Sequence, residues 1–234
     1  MNQFELTRTA LKAVREQTDE IILFYSGGRD SIVCLDLLSS VFKKVYCAFM
    51  YFLPGMECYT PYLNWINRYP NVELIQMQHW NTIQRIRAGM YNHITIGRDK
   101  IKLIKLSHCV DLARKQTGCQ WVDFGYKKAD GLSRNLFISQ TMFDSIDMKL
   151  HKFYPVSNWT QKNVENYITQ KRLIKPVMFR GQRTNGIGVN ENSLLFLRQH
   201  YPNDLKKILE VFPLAGKILF EYDYREQNTS VTEI

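Results

Sequence analysis

The six residues Ser26-Gly27-Gly28-Arg29-Asp30-Ser31 set two glycines among hydroxyl, guanidinium and carboxylate groups. Two adjacent glycines permit positive φ and let backbone N–H groups close around an anion as a nest of donors. Ser26 and Ser31 add hydroxyls, and Arg29 adds a fork of charge-assisted hydrogen bonds suited to phosphate. Asp30 suits the positive end of a helix dipole, or a magnesium ion held through water. Neither Gly-x-x-x-x-Gly-Lys-Ser/Thr nor Gly-x-Gly-x-x-Gly is present, so neither of those two phosphate-binding loops is spelled out. The chemistry the six residues suit is binding of phosphate groups.

Such a loop works only where a strand ends and a helix begins, because free N–H groups and the helix dipole then face the ligand. The flanking sequence supplies both. Ile21–Tyr25 is an apolar run of strand length, and Ile32, Val33, Leu35, Leu37 and Leu38 form the apolar face of a helix over Ser31–Phe42. Further pairs follow: Val45–Phe52 then Tyr62–Tyr69, Val72–Met77 then Thr82–Tyr91, and Ser107–Gln116 then Gln120–Phe124. Alternation of this kind predicts an α/β fold with a doubly wound, mostly parallel sheet and a helical C-terminal part. Thr60 before Pro61 reads as an N-cap, Thr160 as the cap of Gln161–Lys171, and Gly118 as a helix stop. Beyond Leu150 no strand is expected; Asn190–His200 and Pro202–Val211 read as helices, and Glu226–Ile234 as a polar, frayed tail. The expected division is a nucleotide-binding domain over 1–150, a helical region over 151–225 packed on it, and a tail over 226–234.

The chain has 234 residues, with 31 Lys+Arg against 22 Asp+Glu, a net charge of +9 and 45% hydrophobic residues. This excludes a disordered, collagenous or coiled-coil chain. Basic residues are dense at 98–115, 127–134 and 171–183, which suits a phosphate-rich ligand. No apolar run approaches the roughly 18 residues of a membrane span, and the first residues lack the pattern of a secretory signal, so a cytoplasmic protein without membrane contact is expected. Five cysteines, at 34, 47, 58, 109 and 119, lack Cys-x-x-Cys spacing and read as reduced thiols. Cys109 beside His108 is better read as a buried inert thiol than as a thiolate.

Other candidates lie at strand ends. Gly125 follows Gln120–Phe124, which puts Lys127, Lys128 and Arg134 at the same sheet edge as the loop. Those cations would meet the distal phosphates. Arg180 and Arg183 carry the same reading less firmly. Glu57 is open between a ribose or magnesium contact and an ordinary surface acid.

Ser-Gly-Gly-x-Asp-Ser after the first strand resembles the pyrophosphate loop (PP-loop) of the adenine-nucleotide alpha-hydrolase-like superfamily. That superfamily includes ATP pyrophosphatases and phosphoadenosine phosphosulfate reductases. The reductase branch is the most similar, from residue 20 to residue 213. Phe52-Leu53-Pro54-Gly55-Met56-Glu57 resembles its strand-end turn, and Ser107-His108-Cys109 with Arg114-Lys115 resembles its cysteine helix. Gly125-Tyr126-Lys127-Lys128-Ala129-Asp130-Gly131-Leu132-Ser133-Arg134 looks like Gly-x-Arg-x-x-Glu/Asp-Ser-x-x-Arg, and Tyr154–Thr160 looks like Tyr-Pro-x-x-x-Trp-Thr.

The resemblance implies Ser26, Gly27, Gly28, Arg29, Asp30, Ser31, Glu57 and Gly125 as nucleotide-binding residues. Arg29, Asp30, Lys127 and Arg134 would act in catalysis, with Asp30 toward magnesium. Reductases of this branch attack sulfur with a C-terminal cysteine, and this chain has none after Cys119. Gly181–Gly186 stands at the family's glycine-rich turn without a cysteine, and no iron–sulfur cluster is expected. The implied activity is Mg2+-dependent cleavage of ATP between the α and β phosphates, adenylating an acceptor such as a nucleic acid or sulfur compound. Two alternatives stand beside it: a phosphoadenosine phosphosulfate-binding enzyme without its own thiol, and a non-catalytic nucleotide- or nucleic-acid-binding subunit. Self-association into a homo-oligomer is left open.

Overall fold

Strand β1 (Glu20–Tyr25) is apolar from its second residue onward, and Ile21, Ile22 and Leu23 are fully buried. A strand covered on both faces reads as such a run. In the computed structural model, which describes residues 2–92, 97–176 and 187–231, β1 is central to a six-stranded sheet. The other strands are β2 (Lys44–Tyr51), β3 (Val72–Gln78), β4 (Val122–Asp123), β5 (Ile146–Asp147) and β6 (Lys152–Phe153). Their order is β3-β2-β1-β4-β6-β5. β1 runs parallel to β2 and to β4, β4 is parallel to β6, and β5 closes the edge antiparallel to β6. The chain builds outward from β1 to β3 and then returns to β4 on the other side. Ligands in open α/β sheets bind at such a reversal.

The chain divides into two compact units. The first comprises Met1–Met50, Pro61–Met77 and Ser107–Pro176, and its sheet is covered by helices α1 (Gln3–Arg15), α2 (Arg29–Ser39), α3 (Thr60–Ile66), α5 (Leu106–Thr117), α6 (Leu132–Ile138) and α7 (Gln161–Gln170). α2 buries Ile32, Val33, Leu35 and Leu38 against the sheet. Asp36 on its outer side accepts hydrogen bonds from the Tyr69 and Tyr167 hydroxyls at 3.0 and 2.8 Å, which ties α7 to α2. α1 starts with a capping box between Asn2 and Glu5. Its Thr7 hydroxyl donates to the Pro155 carbonyl and accepts from the Trp159 indole, both at 2.8 Å.

The second unit comprises Tyr51–Thr60, Gln78–Leu106 and Val177–Ile234. Helices α4 (Trp80–Ala88), α8 (Glu191–His200), α9 (Pro202–Val211) and α10 (Gly216–Val231) belong to it. Phe52, Leu53, Met56 and Cys58 pack into a core with Leu194, Leu197, Ile208 and Phe212. Asp204, fully buried on α9, accepts the backbone N–H groups of Glu57 and Cys58 at 2.9 and 2.8 Å. Among the described residues, no helix is long and apolar enough to cross a membrane.

Several expectations change. Thr60 is not an N-cap: a 3-10 turn over Glu57–Tyr59 runs straight into α3, Thr60 is helical at φ −52° and ψ −45°, and Asp204 caps the turn instead. β6 lies beyond Leu150, two residues long and therefore without a readable period. The strand expected over Gln120–Phe124 contracts to Val122–Asp123. α10 continues through Glu226 to Val231, where a frayed tail was expected. Thr160 does cap α7 in a box with Asn163, and Gly118 stands at φ +76° just past α5. Arg180, Arg183, the Gly181–Gly186 turn and the last three residues lie outside the described residues.

Candidate active site

β1 ends at Tyr25 and α2 begins at Arg29, so Ser26, Gly27 and Gly28 form the whole connection. Gly27 adopts φ +71°, a conformation glycine takes without steric cost. A Cβ there would also meet the Tyr62 ring at 3.2 Å. Gly28 is the N-cap of α2 and no side chain caps the helix, so the first-turn N–H groups remain available to a ligand. The two serines divide the work. Ser31 is 4% exposed; its hydroxyl donates to the Gly28 carbonyl at 2.9 Å and accepts from the Ser26 N–H at 3.2 Å. That fastens the loop. Ser26 is exposed; its Oγ accepts from the Gly28 N–H at 3.2 Å and donates to the Ser31 Oγ at 3.2 Å, the Ser31 proton being taken by the Gly28 carbonyl.

Gly125 follows β4 and approaches the start of α2 closely. A Cβ at this position would lie 3.2 Å from the Asp30 backbone carbon and Cβ and 3.3 Å from the Ser31 nitrogen. The absent side chain is what lets the loop after β4 lie against the Ser26–Ser31 segment. Lys127, two residues on, is only 7% exposed, and its ammonium forms an ion pair with Asp30 and lies 3.5 Å from Asp130. Asp130 also accepts the Lys127 N–H at 3.0 Å and the Arg134 guanidinium at 2.7 Å. Burial pushes the Asp130 carboxyl up, but the Lys127 N–H, the Lys127 ammonium and Arg134 outweigh it, so it ionises below the ordinary range. The Arg134 guanidinium also stacks over the Tyr126 ring at 4.1 Å.

Arg29 pairs with Glu165 of α7, and Lys128 pairs with Asp144 at 2.7 Å. Four cations (Arg29, Lys127, Lys128, Arg134) therefore face four carboxylates (Asp30, Asp130, Asp144, Glu165). The cluster is neutral. Its attraction for an anion comes from the uncapped N–H groups and the dipole of α2, joined by whatever cation a ligand brings or displaces. Among the described residues no three His, Cys, Asp or Glu side chains cluster as a metal cage. Asp30, bound by Lys127, is the acid nearest the loop itself.

The sequence reading thus has Ser26–Ser31, Gly125, Lys127 and Arg134 together at one edge of the first unit. Glu57 belongs to the second unit, held by Asp204 through its backbone. Two residues went unnoticed. Glu165 gives no local signal, since it sits on the exposed side of an amphipathic helix. Asp123 does give one, an acid inside the apolar run Trp121-Val122-Asp123-Phe124. It is fully buried behind α2, and neither carboxylate oxygen has a hydrogen-bond partner in good geometry. Burial drives its carboxyl well above the ordinary range, only weakly opposed by the Cys34 thiol, so it is held neutral. All five cysteines are buried. Burial pushes the thiols of Cys34, Cys47 and Cys58 far up and that of Cys119 to about 11, so none of these four is a thiolate nucleophile.

Residues 20–194 match the family model described as "Phosphoadenosine phosphosulfate reductase domain". The adenosine 5'-phosphosulfate reductases of Geobacillus kaustophilus and Geobacillus thermodenitrificans are each 27% identical over 165 residues, 69% of this chain and 68% of theirs. Among solved structures, an NH3-dependent NAD synthetase from Campylobacter jejuni, in complex with the nitrate ion, is similar with a TM-score of 0.49 and 12% identity over 97% of each chain.

Proposed function

Since the chain belongs to the phosphoadenosine phosphosulfate reductase domain family, we propose that it binds ATP on the Ser26–Ser31 loop and cleaves it between the α and β phosphates to adenylate an acceptor. The observation that carries the reading is the uncapped start of α2 behind Gly27 and Gly28, with Lys127 and Arg134 beside it. In the reaction the acceptor's lone pair forms a bond to the α phosphorus. The bond from that phosphorus to the α–β bridging oxygen breaks, and pyrophosphate leaves with the electron pair. The protein's part is positioning and charge stabilisation. The α2 N–H groups and the Ser26 hydroxyl hold the β and γ phosphates, and Ser31 keeps the loop closed around them. Arg29, Lys127 and Arg134 exchange carboxylate partners for phosphate oxygens as charge grows on the leaving group.

The residues present fit a magnesium ion that arrives with the nucleotide, because such an ion takes one or two carboxylates and completes its shell with phosphate oxygens and water. Asp30 would hold it, and the ion would supply charge neutralisation at the phosphates. The absence of any cysteine after Cys119 and the burial of all five argue against thiol attack on a sulfonucleotide. Binding of phosphoadenosine phosphosulfate remains the second reading, favoured by the family match itself.

Calorimetric titration with each nucleotide and magnesium, followed by assay for pyrophosphate, separates the two. ATP binding with pyrophosphate release that falls in Ser26→Ala and Asp30→Ala is the expected result. Full release by either folded variant would overturn the mechanism, and a requirement for the 3'-phosphate would move the assignment to the sulfonucleotide.

A further inference from the structure

Positive charge is neutralised unevenly along this chain. Around the phosphate loop each of the four cations has a carboxylate partner. In the second unit, α4 and the segment from Gly97 to Lys102 carry Arg85, Arg87, Arg98, Lys100 and Lys102 against the single acid Asp99. Among the described residues, none of these five forms an ion pair.

Local structure ties the 97–102 segment to the C-terminal turn of α4. The Arg87 guanidinium donates to the Ile101 carbonyl at 2.6 Å, which folds the segment back onto α4. Gly89, the left-handed C-cap of α4, leaves the space that Arg98 fills: a Cβ there would overlap its guanidinium. Arg85 is oriented by Asn81 at 2.6 Å. The guanidinium groups of Arg85 and Arg87 are thus held by uncharged oxygens, while Lys100 and Lys102 are exposed. At the start of the same helix, His79 and Trp80 stack with centroids 5.6 Å apart at 25°.

We propose that α4 and residues 97–102 form a binding surface for single-stranded nucleic acid, the five cations tracking phosphates and the His79–Trp80 pair stacking with a base. Unneutralised cations at this density, beside a flat aromatic pair, match a polyanion that presents both charge and π-faces. The inference is independent of the proposed ATP chemistry, because its test contains neither ATP nor a sulfonucleotide and reads substitutions in the second unit.

The experiment is fluorescence anisotropy of end-labelled single-stranded RNA and DNA oligonucleotides with the full chain over a range of salt. With five phosphates neutralised, log K against log salt should fall with a slope of about −3.5, at about −0.7 per contact. Lys100→Gln with Lys102→Gln should flatten that slope by about 1.4. Lys12→Gln with Lys162→Gln, both exposed in the first unit, should leave it unchanged. No binding at about 50 mM salt, or a slope indifferent to the Lys100 and Lys102 substitutions, overturns the proposal. So does equal retention on phosphatidylglycerol–phosphatidylcholine vesicles, which would make the surface a membrane contact.

Discussion

Replacing Lys127 by methionine tests whether the cation cluster beside the phosphate loop contributes to stability as its geometry requires. The substitution keeps the length and apolar stem of the side chain and removes the ammonium, leaving Asp30 and Asp130 without their shared partner. A fully buried pair broken on one side costs about 3–5 kcal/mol and an exposed pair at most about 1. The Lys127 side chain is 9% exposed and the two carboxylates 30% and 24%, so both acids regain some water and the expected loss is about 2 kcal/mol. Urea unfolding at neutral pH measures it. Because Asp130 ionises below its ordinary value in the folded chain, its contribution is present above the unfolded value of 3.8 and is lost as pH falls through the folded one. The variant should therefore show a smaller drop in stability on acidification than the parent. Combining Lys127→Met with Asp30→Asn should recover about 1 kcal/mol of coupling. A loss below about 0.5 kcal/mol at neutral pH, with an unchanged acid limb, would refute the reasoning.

Gly125→Ala should cost about 1–2 kcal/mol by overpacking against Asp30 and Ser31, and should weaken ATP binding measured by calorimetry. Gly118→Ala, with nothing within 4 Å but φ +76°, should cost about 1 kcal/mol and leave ATP binding alone. Asp204→Ala leaves two backbone donors without their buried acceptor and should cost about 2–5 kcal/mol in urea unfolding, with Asp204→Asn retaining about half. Asp123 keeps its proton in the folded chain after the unfolded chain has released it, so it lowers stability as pH rises above 3.8. Asp123→Asn should raise the melting temperature relative to the parent at pH 7, and the gap should close toward pH 3; a gap independent of pH would sink that assignment.

The fold was readable wherever the hydrophobic period was long enough to count. β1, α2, α7, α8 and α9 stand at or near their expected limits because each carries a continuous apolar run or an apolar stripe, with a side-chain cap at the start of α7 and α8. β4 lies inside the apolar run expected as a strand over Gln120–Phe124, whereas the two-residue strands β5 and β6 have no period of their own and exist because neighbouring strands offer them hydrogen bonds. The Ser26–Gly28 turn between β1 and α2 was legible because glycine, serine and a strand–helix junction are all local features. The partners of its cations were not. Arg29 meets Glu165 from 136 positions away, and no pattern in either segment announces the other. Asp204 is equally remote from the Glu57 turn that it caps, which is why Thr60 looked like the start of a helix.

The hydrogen bonds of Thr7 bear on where this protein can be cut. The family match begins at residue 20, and α1 lies wholly before it. A fragment trimmed to that limit would keep every residue of the phosphate loop. It would also lose Thr7, which satisfies both the Trp159 indole and the Pro155 carbonyl, and the Phe4 ring that meets Trp159 edge-on at 4.8 Å. Ala10 and Val14, fully buried in the intact chain, would leave bare apolar surface behind them. Such a fragment should express poorly or aggregate, so the unit that folds is larger than the unit sequence similarity outlines, and its first helix is a wall of the domain.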